Sequence, residues 1–223
     1  MQVVLTSSLL IEAYRQGLFP MAYDRLSPFI QWVCPEERGQ ISIPDMHIPR
    51  SLKKDIRRGL RERSYEIKID HDFASVIENC AEERSERPET WINQQIIDAF
   101  IKLHKKGYAH SVEYYEDGVL LGGLYGLSIG GAFFGESMYS KVSGASKIAL
   151  VHLAARLWHA GYKVLDTQFV NDHLEQFGVY ELLHEEYMEV LKPVLDLKCN
   201  FKIDDLNEKE LIEAYFEMRH QRS

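Results

Sequence analysis

The chain has 223 residues, 45% of them hydrophobic and 27% charged, a composition typical of a globular protein with one large hydrophobic core or two modest ones. Its formal net charge of −8 argues against a protein that binds nucleic acid with its whole surface. The cysteines Cys34, Cys80 and Cys199 lie far apart and outside any CxxC pair, which argues against a disulfide framework and against a zinc site.

The first segment, MQVVLTSSLLIEAYRQG, has neither a basic n-region nor a small-residue cleavage site, and no stretch approaches the roughly 18 apolar residues of a membrane span. We therefore expect a cytoplasmic protein with no membrane partner. Within this segment, Leu5 to Tyr14 has the spacing of a short amphipathic helix that ends at Gly17. The proline-bearing stretch from Ile30 to Pro49 predicts short strands and turns.

A basic run follows between residues 50 and 63, with seven basic residues against two acidic ones and a local net charge of +5. At helical spacing, four of the cations share one face, which suits contact with a polynucleotide backbone through counterion release. A solvated amphipathic helix is the alternative interpretation. The cations are Arg50, Lys53, Lys54, Arg57, Arg58, Arg61 and Arg63, and the four on one face are Arg50, Lys54, Arg57 and Arg61.

Mixed secondary structure is predicted for the centre of the chain. Tyr65 to Asp70 alternates as a strand, whereas Phe73 to Glu83 and Gln94 to Lys105 have helical periodicity. From residue 110 the period changes to two, with strands at 110–115, 119–127 and 131–134 that form an antiparallel meander turning first at Asp117-Gly118.

A helix from about Ala145 to Ala160 and a strand from Lys163 to Val170 come next. This order predicts an α+β layer with one βαβ crossover, as found in N-acyltransferase folds. The charged stretch from Asn200 to Ser223 predicts a peripheral helix.

The run from Gly122 to Lys147 reads GGLYGLSIGGAFFGESMYSKVSGASK and has six glycines in its first fourteen residues. Glycine inside apolar strands indicates that another backbone or a ligand comes close. Glu136 stands among Phe133, Phe134 and Met138, where a carboxylate must be paired or must bind a polar group. A tight hairpin with a solvated glutamate is the alternative.

The strand from Lys163 to Val170 and the helix before it supply further candidates. Because side chains alternate along a strand, Asp166 and Gln168 share one face, and a carboxylate bonded to the amide would aim the amide carbonyl at an amine. A polar pair at a sheet end is the alternative. A leucine stripe on the helix faces the glycine-rich strands and lines either an apolar pocket or the core. The stripe consists of Leu150, Leu153 and Leu157.

Other catalytic motifs are missing from the sequence. There is no GxSxG elbow, HExxH pair or Walker loop, and the nine histidines show no ligand spacing. Hydrolase and metal-dependent functions therefore have little support. A coenzyme A-dependent acyltransferase remains a weak competitor, because Ser143-Gly144-Ala145 is a poor pyrophosphate loop.

Nine ordered segments give the chain a family resemblance across most of residues 13–178. They read AYRQGLFPM (13–21), CPEERG (34–39), HIPRSLKK (47–54), TWI (90–92), LHKKGYAHSVE (103–113), GGLYGLSIG (122–130), FFGESMYS (133–140), ASKIAL (145–150) and LDTQFVNDHLEQFG (165–178). On these segments the chain resembles the leucyl/phenylalanyl-tRNA–protein transferases. The resemblance implies a small N-terminal domain with the basic helix (1–63), a catalytic domain related to GCN5 N-acyltransferases (64–199) and a C-terminal helix (200–223).

The implied activity moves leucine or phenylalanine, with methionine as a further candidate, from aminoacyl-tRNA to proteins that begin with arginine or lysine. No cofactor or metal is implied, and we expect a monomer. In the implied relay, Asp166 orients Gln168, whose carbonyl draws a proton from the attacking amine, while Glu136 holds a cationic substrate group. An acyl-CoA-dependent acyltransferase and a non-catalytic RNA-binding protein are the alternatives.

The resemblance also implies three sets of binding residues. The pocket for the transferred side chain comprises Leu124, Met138, Leu150, Leu153, Leu157 and Leu165. Adenosine-binding residues are Trp91, Met21 and Gly135, and tRNA-binding residues are Arg50, Lys53, Lys54, Arg57, Arg58 and Arg61. Two departures stand out: Met21 occupies a position where tryptophan is frequent in the family, and the chain begins only about twelve residues before AYRQG.

Overall fold

The computed structural model describes residues 4–83, 89–203 and 206–220. Over these ranges the chain forms a two-stranded hairpin and a seven-stranded sheet with helices on both faces. The strands are β1 (Phe19–Ala22), β2 (Ile30–Val33), β3 (Glu37–Ile41), β4 (Glu66–Ile69), β5 (Ala109–Glu116), β6 (Val119–Ile129), β7 (Ala132–Ser140), β8 (Val164–Gln168) and β9 (Tyr180–Leu183). The helices are α1 (Ser7–Arg15), α2 (Arg50–Glu62), α3 (Phe73–Ala81), α4 (Gln94–Lys105), α5 (Ala145–His159), α6 (Asp172–Glu175), α7 (His184–Leu191) and α8 (Glu208–His220).

Local sequence signals explain where several of these elements begin and end. Helix α4 has its predicted bounds, because the Asn93 side chain accepts a hydrogen bond from the Ile96 N–H at 3.0 Å and Gly107 follows the helix with a φ of +78°. The predicted Asp117-Gly118 turn joins β5 to β6 with φ angles of +48° and +77°. Positive φ at both positions is what a two-residue hairpin turn of this kind requires.

The large sheet has the strand order β4-β5-β6-β7-β8-β3-β9. Every neighbouring pair is antiparallel except β7 and β8, which run parallel and are joined by helix α5. A parallel pair needs such a crossover connection, because a short turn cannot return the chain to the same end of the sheet. The predicted α+β class with one βαβ crossover is therefore confirmed.

Strands β7 and β8 pair over a short distance only. Their ladder joins Ala132 to Val164, Phe133 to Leu165 and Phe134 to Asp166. Strand β7 then continues to Ser140 without β8 beside it, while its other edge stays paired with β6. The two strands therefore separate, and they leave a gap in the middle of the sheet.

Hydrophobic cores cover both faces of this sheet. One core joins α1, α3, α4 and α7 and includes the buried Leu10, Phe100 and Tyr187. The other joins α2, α5 and α8 and includes Ile56 and Leu153. Burial of one such side chain stabilises the fold by about 1.5–3 kcal/mol. The gap between β7 and β8 thus lies between two packed layers.

The N-terminal residues do not pack as a separate unit up to residue 63. Strand β3 lies inside the large sheet, hydrogen-bonded to β8 on one side and to β9 on the other. Helix α2 packs its buried Leu52 and Ile56 into the same core as α5. A boundary at residue 63 therefore cuts through elements that pack together, because propensity along the chain gave no sign that β3 joins distant strands.

The C-terminal helix is more integrated than the sequence suggested. Helix α8 buries Leu211, Ile212, Tyr215 and Phe216 against α5, so the prediction of a peripheral helix is wrong for the described residues. The mixed charges of this segment hid its apolar face. Residues 1–3, 84–88, 204–205 and 221–223 of the predicted regions lie outside the described residues. Among the described residues, no helix is both long and apolar enough to cross a bilayer.

Candidate active site

Glu136 is the extra residue of a β-bulge in β7. Gly126 of β6 pairs with Gly135 and the preceding Tyr125 pairs with Ser137, so Glu136 has no partner across the ladder. Gly126 must lack a side chain, because a Cβ there would lie 2.4 Å from both the Phe133 ring and the Phe134 carbonyl oxygen. A bulge re-aims the side chain that it carries. The glycines of this run therefore permit the bulge that orients Glu136.

The Glu136 carboxylate is buried, and its two oxygens are in different situations. Oε1 accepts hydrogen bonds from the Tyr14 hydroxyl at 2.7 Å and from the Gln168 Nε2 at 2.9 Å. Oε2 has no hydrogen-bond partner among the described residues. Burial raises the pKa of Glu136 to about 8; the Tyr14 hydrogen bond opposes this shift and the nearby Asp166 adds to it. Glu136 can therefore change its protonation state near neutral pH.

Asp166 is fully buried and is held by four donors. Arg38 Nε lies 3.0 and 3.1 Å from the two carboxylate oxygens, and Arg38 Nη2 lies 2.9 Å from Oδ2. The Tyr187 hydroxyl donates to Oδ2 at 2.6 Å and the Gln168 backbone N–H donates to Oδ1 at 2.7 Å. Burial works against the charge of Arg38, but the Asp166 carboxylate holds the pKa of Arg38 above its usual range.

The predicted relay has the wrong partner for the Gln168 amide. Asp166 contacts the backbone N–H of Gln168, whereas Glu136 accepts the hydrogen bond from its side-chain amide. The Gln168 Oε1 accepts no hydrogen bond from a described residue and can serve an incoming donor. Strand alternation could not reveal this arrangement, because it depends on the bulge in β7.

Gln168 is held in a backbone conformation that is costly for a residue with a side chain. Its φ is +65°, in the left-handed region. Such a conformation costs roughly 1–2 kcal/mol without glycine. The bond from its backbone N–H to Asp166 helps to hold this geometry. Strain of this kind at the end of a strand is typical of functional sites.

A cavity of about 800 Å³ lies where β7 and β8 separate. Five of the six predicted pocket residues line it, which places an apolar wall on one side. Leu157 does not line it, since its side chain is fully buried in the core of α5. The five residues in the wall are Leu124, Met138, Leu150, Leu153 and Leu165.

The other predicted site residues are divided between the cavity wall and the layers behind it. Glu136, Trp91 and Gly135 line the cavity, whereas Asp166, Gln168 and Met21 do not. On β8, Leu165 and Thr167 line the cavity, whereas Asp166 lies behind its wall and the Gln168 amide meets the wall through its hydrogen bond to Glu136. Met21 lies on β1 opposite Gln31, and the next residue, Ala22, donates its N–H to the Trp91 carbonyl at 3.0 Å.

The predicted basic helix is α2, and several of its cations have intramolecular partners. Arg57 donates three hydrogen bonds to Glu213 of α8, one at 2.6 Å and two at 3.0 Å. Both Lys53 and Arg57 lie over the Phe216 ring. Arg58 pairs with Asp55 and Arg61 with Glu62, at 2.9 Å each. Exposed ion pairs contribute about 0–1 kcal/mol and exchange readily with other anions. Arg50 and Lys54 have no ion pair with a described residue.

Sequence reasoning missed three residues that hold the candidate catalytic groups. Tyr14 and Arg38 lie in the segments AYRQGLFPM and CPEERG, but no local pattern connects them to residues more than 120 positions away. Tyr187 lies on α7, which was not predicted. A buried carboxylate needs such donors. This requirement is the one signal that could have prompted a search for them.

Comparison with known proteins connects this site to a class of enzymes. The model described as leucyl/phenylalanyl-tRNA protein transferase matches residues 41–192, and that of its N-terminal domain matches residues 4–36. A relative from Paramagnetospirillum magneticum is 50% identical over 191 residues, 86% of this chain and 90% of that protein. One from Hyphomonas neptunium is 46% identical over 192 residues, 86% of this chain and 73% of that protein. Both are named leucyl/phenylalanyl-tRNA–protein transferase.

Solved structures resemble the chain more distantly. L-PGS from Bacillus licheniformis is 14% identical, with a TM-score of 0.46 over 73% of this chain and 66% of that one. A GCN5-related N-acetyltransferase-like protein from Streptococcus suis is 15% identical, with a TM-score of 0.34 over 79% of this chain and 64% of that one. These scores are too low to support any inference about the site.

The α+β fold, the cavity beside a bulged strand and the sequence matches define the protein as an acyltransferase. The two family models together span most of the chain, and the first relative is half identical to it along nearly its whole length. The chain belongs to the leucyl/phenylalanyl-tRNA–protein transferase family, which confirms the resemblance seen in the sequence.

Proposed function

We propose that the protein transfers leucine or phenylalanine from aminoacyl-tRNA to the α-amine of proteins that begin with arginine or lysine, as a monomer in the cytoplasm. This modification marks its targets for degradation in the N-degron pathway. The observation that carries the proposal is the cavity, whose leucine-rich wall faces the re-aimed Glu136 in a chain of this family.

The apolar wall accounts for the choice of donor. A leucine or phenylalanine side chain buried against it gains about 1.5–3 kcal/mol relative to exposure in water. A polar side chain in the same place would lose its hydration without compensation. The wall therefore favours donors with large apolar side chains over those with polar ones.

Gln168 and Glu136 account for the acceptor chemistry. The amine nitrogen attacks the ester carbonyl carbon, the bond from this carbon to the ribose oxygen breaks, and a proton of the amine passes to the departing oxygen, which leaves as a ribose hydroxyl. Gln168 Oε1 would accept the amine N–H and align its lone pair, while Glu136 fixes the amide from the other side. The ester is already activated, so positioning contributes most of the rate. Asp166 acts as a positioning residue through the Gln168 backbone and Arg38.

Two separate surfaces would hold the tRNA. Trp91, with the flat backbone at Gly135 beside it, would stack on the terminal adenosine, a contact worth roughly 1–3 kcal/mol. The exposed cations of α2 would contact the acceptor-stem phosphates, which give affinity but no sequence information. Met21 lies outside the cavity wall, so in this proposal the stacking depends on Trp91.

Transfer assays test the proposal directly. Radiolabelled leucine, phenylalanine and methionine are presented on charged tRNA to peptides beginning with arginine, lysine or alanine, without ATP or coenzyme A. Transfer of leucine or phenylalanine to the arginine and lysine peptides only is the expected result. Transfer from acyl-coenzyme A alone would identify a different donor. Tight tRNA binding without any transfer would identify a non-catalytic RNA-binding protein.

A further inference from the structure

Among the described residues that line the cavity there are carboxylates but no lysine or arginine. Glu136 and Asp172 line it, and the histidine beside them, His173, has its pKa lowered by burial and by the nearby Lys147. Both effects favour the neutral form of His173. The Asp172 carboxylate in this wall favours a cationic occupant, and a cation beside Glu136 would also favour the ionised form of that carboxyl, which burial otherwise disfavours.

Unpartnered polar atoms in the same wall indicate that a ligand completes it. Glu136 is 8% exposed and its Oε2 has no hydrogen-bond partner among the described residues. Thr167 Oγ1 has no described partner either, and Thr167 also lines the cavity. Buried polar atoms are rarely left in this state, because an unmade hydrogen bond costs about 1–3 kcal/mol. The polar end of the cavity is therefore built for a bound donor.

Asp172 lies at the exposed rim of the polar end of the cavity, whereas Glu136 is buried. Asp172 is the first residue of α6, four positions after Gln168 at the end of β8, and it makes no ion pair with a described residue. The neighbouring Asn171 uses its side chain to cap α6 by accepting from the Leu174 N–H at 3.1 Å. Asp172 has no such structural task among the described hydrogen bonds, and its carboxylate is free to meet a ligand.

We propose that Asp172 binds the charged side chain of the acceptor's N-terminal arginine or lysine, while the α-amine of the same residue lies at Gln168 and Glu136. This inference rests on the proposed function and names the residue that would set its acceptor specificity. In this proposal Asp172 pairs with the positive charge of the acceptor side chain, and Gln168 and Glu136 contact the reacting α-amine.

Chain dimensions agree with this division. Asp172 is four positions after Gln168, so their Cα atoms lie at most about 14 Å apart. An extended arginine covers about 7 Å from its Cα to its guanidinium at normal bond lengths. A hydrogen bond at each end adds about 3 Å. One extended arginine with a hydrogen bond at each end therefore has a reach close to this upper limit.

The test compares peptides that begin with arginine and with citrulline, its neutral isostere, at saturating leucyl-tRNA. The wild type should favour arginine by about tenfold in kcat/KM, as one partly exposed charge pair provides about 1.4 kcal/mol. Asp172→Asn should bring this ratio close to one, by raising KM for the arginine peptide. Asp172→Glu should keep the preference. Glu175→Gln, an exposed acid on α6 outside the cavity wall, should change nothing.

Three outcomes would overturn this inference alone. The first is an arginine preference that survives in Asp172→Asn, and the second is an equal loss toward both peptides, which would assign Asp172 to catalysis or folding. The third is a wild type that accepts the arginine and citrulline peptides equally, which contradicts this inference but not the proposed function. A wild type that transfers to neither peptide would contradict both this inference and the proposed function.

Discussion

Arg38 holds both carboxylate oxygens of Asp166 in the protein interior, with side-chain exposures of 1% and 0%. The same guanidinium donates to the Gly17 carbonyl at 2.8 Å, so it joins the segment after α1 to β8. Phe19 and Tyr187 enclose it, with ring centres 4.6 and 4.8 Å away. Through Asp166, this ion pair holds the backbone of Gln168, the residue proposed to orient the amine.

Breaking this pair from one side should destabilise the fold strongly. We expect Arg38→Met to lower the free energy of unfolding by about 3–5 kcal/mol, because it leaves a buried carboxylate without its counter-ion. The double variant Arg38→Met/Asp166→Leu should recover much of the loss while its turnover stays low, since Gln168 loses its acceptor. Urea unfolding and transfer assays on the same samples check both statements. Full activity in the double variant would show that Arg38 and Asp166 are not needed to position Gln168.

Gln168 should be required for turnover but not for tRNA binding. We expect Gln168→Ala to lower kcat by about 10²-fold, the lower range for loss of a group that assists proton transfer. Gln168→Gly should be equally inactive yet more stable than the alanine variant by about 1 kcal/mol, because the φ of +65° suits glycine. Filter binding of leucyl-tRNA should be unchanged in both. Gln94→Ala, at the exposed start of α4, is the control.

Glu136 should make stability depend on pH in a defined window. Its pKa rises from 4.5 to about 8 on folding, so between these values the folded state binds more protons than the unfolded state. Stability should therefore fall as pH rises through this window, by up to about 5 kcal/mol at about 1.4 kcal/mol per pKa unit. The Glu136→Gln variant should lack this contribution to the pH dependence of stability. Thermal unfolding of both proteins from pH 5 to 9 measures it, and parallel curves would contradict the prediction.

Alanine substitutions at Leu153 and Leu157 should have different effects, although both leucines belong to the same stripe on α5. Leu157 lies in the core outside the cavity wall, so Leu157→Ala should cost about 2–5 kcal/mol of stability and leave donor preference unchanged. Leu153 lines the cavity, so Leu153→Ala should enlarge it and shift preference from leucine toward phenylalanine. Competition between the two charged tRNAs gives the ratio. A shift produced by Leu157→Ala would return that residue to the pocket.

Cations on α2 should separate into two groups. Neutralising Arg50 and Lys54 with glutamine should weaken tRNA binding and reduce the salt slope by roughly one per cation, as expected for phosphate contacts. Neutralising Lys53 and Arg57 should chiefly lower the Tm, because these two contact Phe216 and Glu213 of α8. Binding isotherms at several salt concentrations distinguish the groups. An unchanged slope for Arg50 and Lys54 would make α2 a solvated helix.

The sequence was sufficient for features that depend on short-range patterns. Helix α4, the turn at Asp117-Gly118 and the crossover through α5 follow from periodicity, capping residues and glycine positions. Leu150 and Leu153 of the leucine stripe line a cavity, because the glycine-rich strands opposite leave volume there, and their contact with a transferred side chain stays a prediction.

Features that depend on distant contacts could not be predicted. Leu157 was placed in the pocket because periodicity gives a face but not the depth at which a cavity ends. The partner of the Gln168 amide was wrong because a bulge moves Glu136 out of strand alternation. The burial of α8 and the pairing of β3 inside the sheet likewise depend on strands and helices that are remote along the chain.

The hydrogen bond from Tyr14 to Glu136 spans 122 positions, and the ion pair between Arg38 and Asp166 spans 128. Contacts between such remote segments close large loops and form slowly during folding. Before they form, both carboxylates stay hydrated and behave as ordinary surface acids. We therefore expect the site to acquire its buried, hydrogen-bonded carboxylates only when the N-terminal segment docks on β7 and β8.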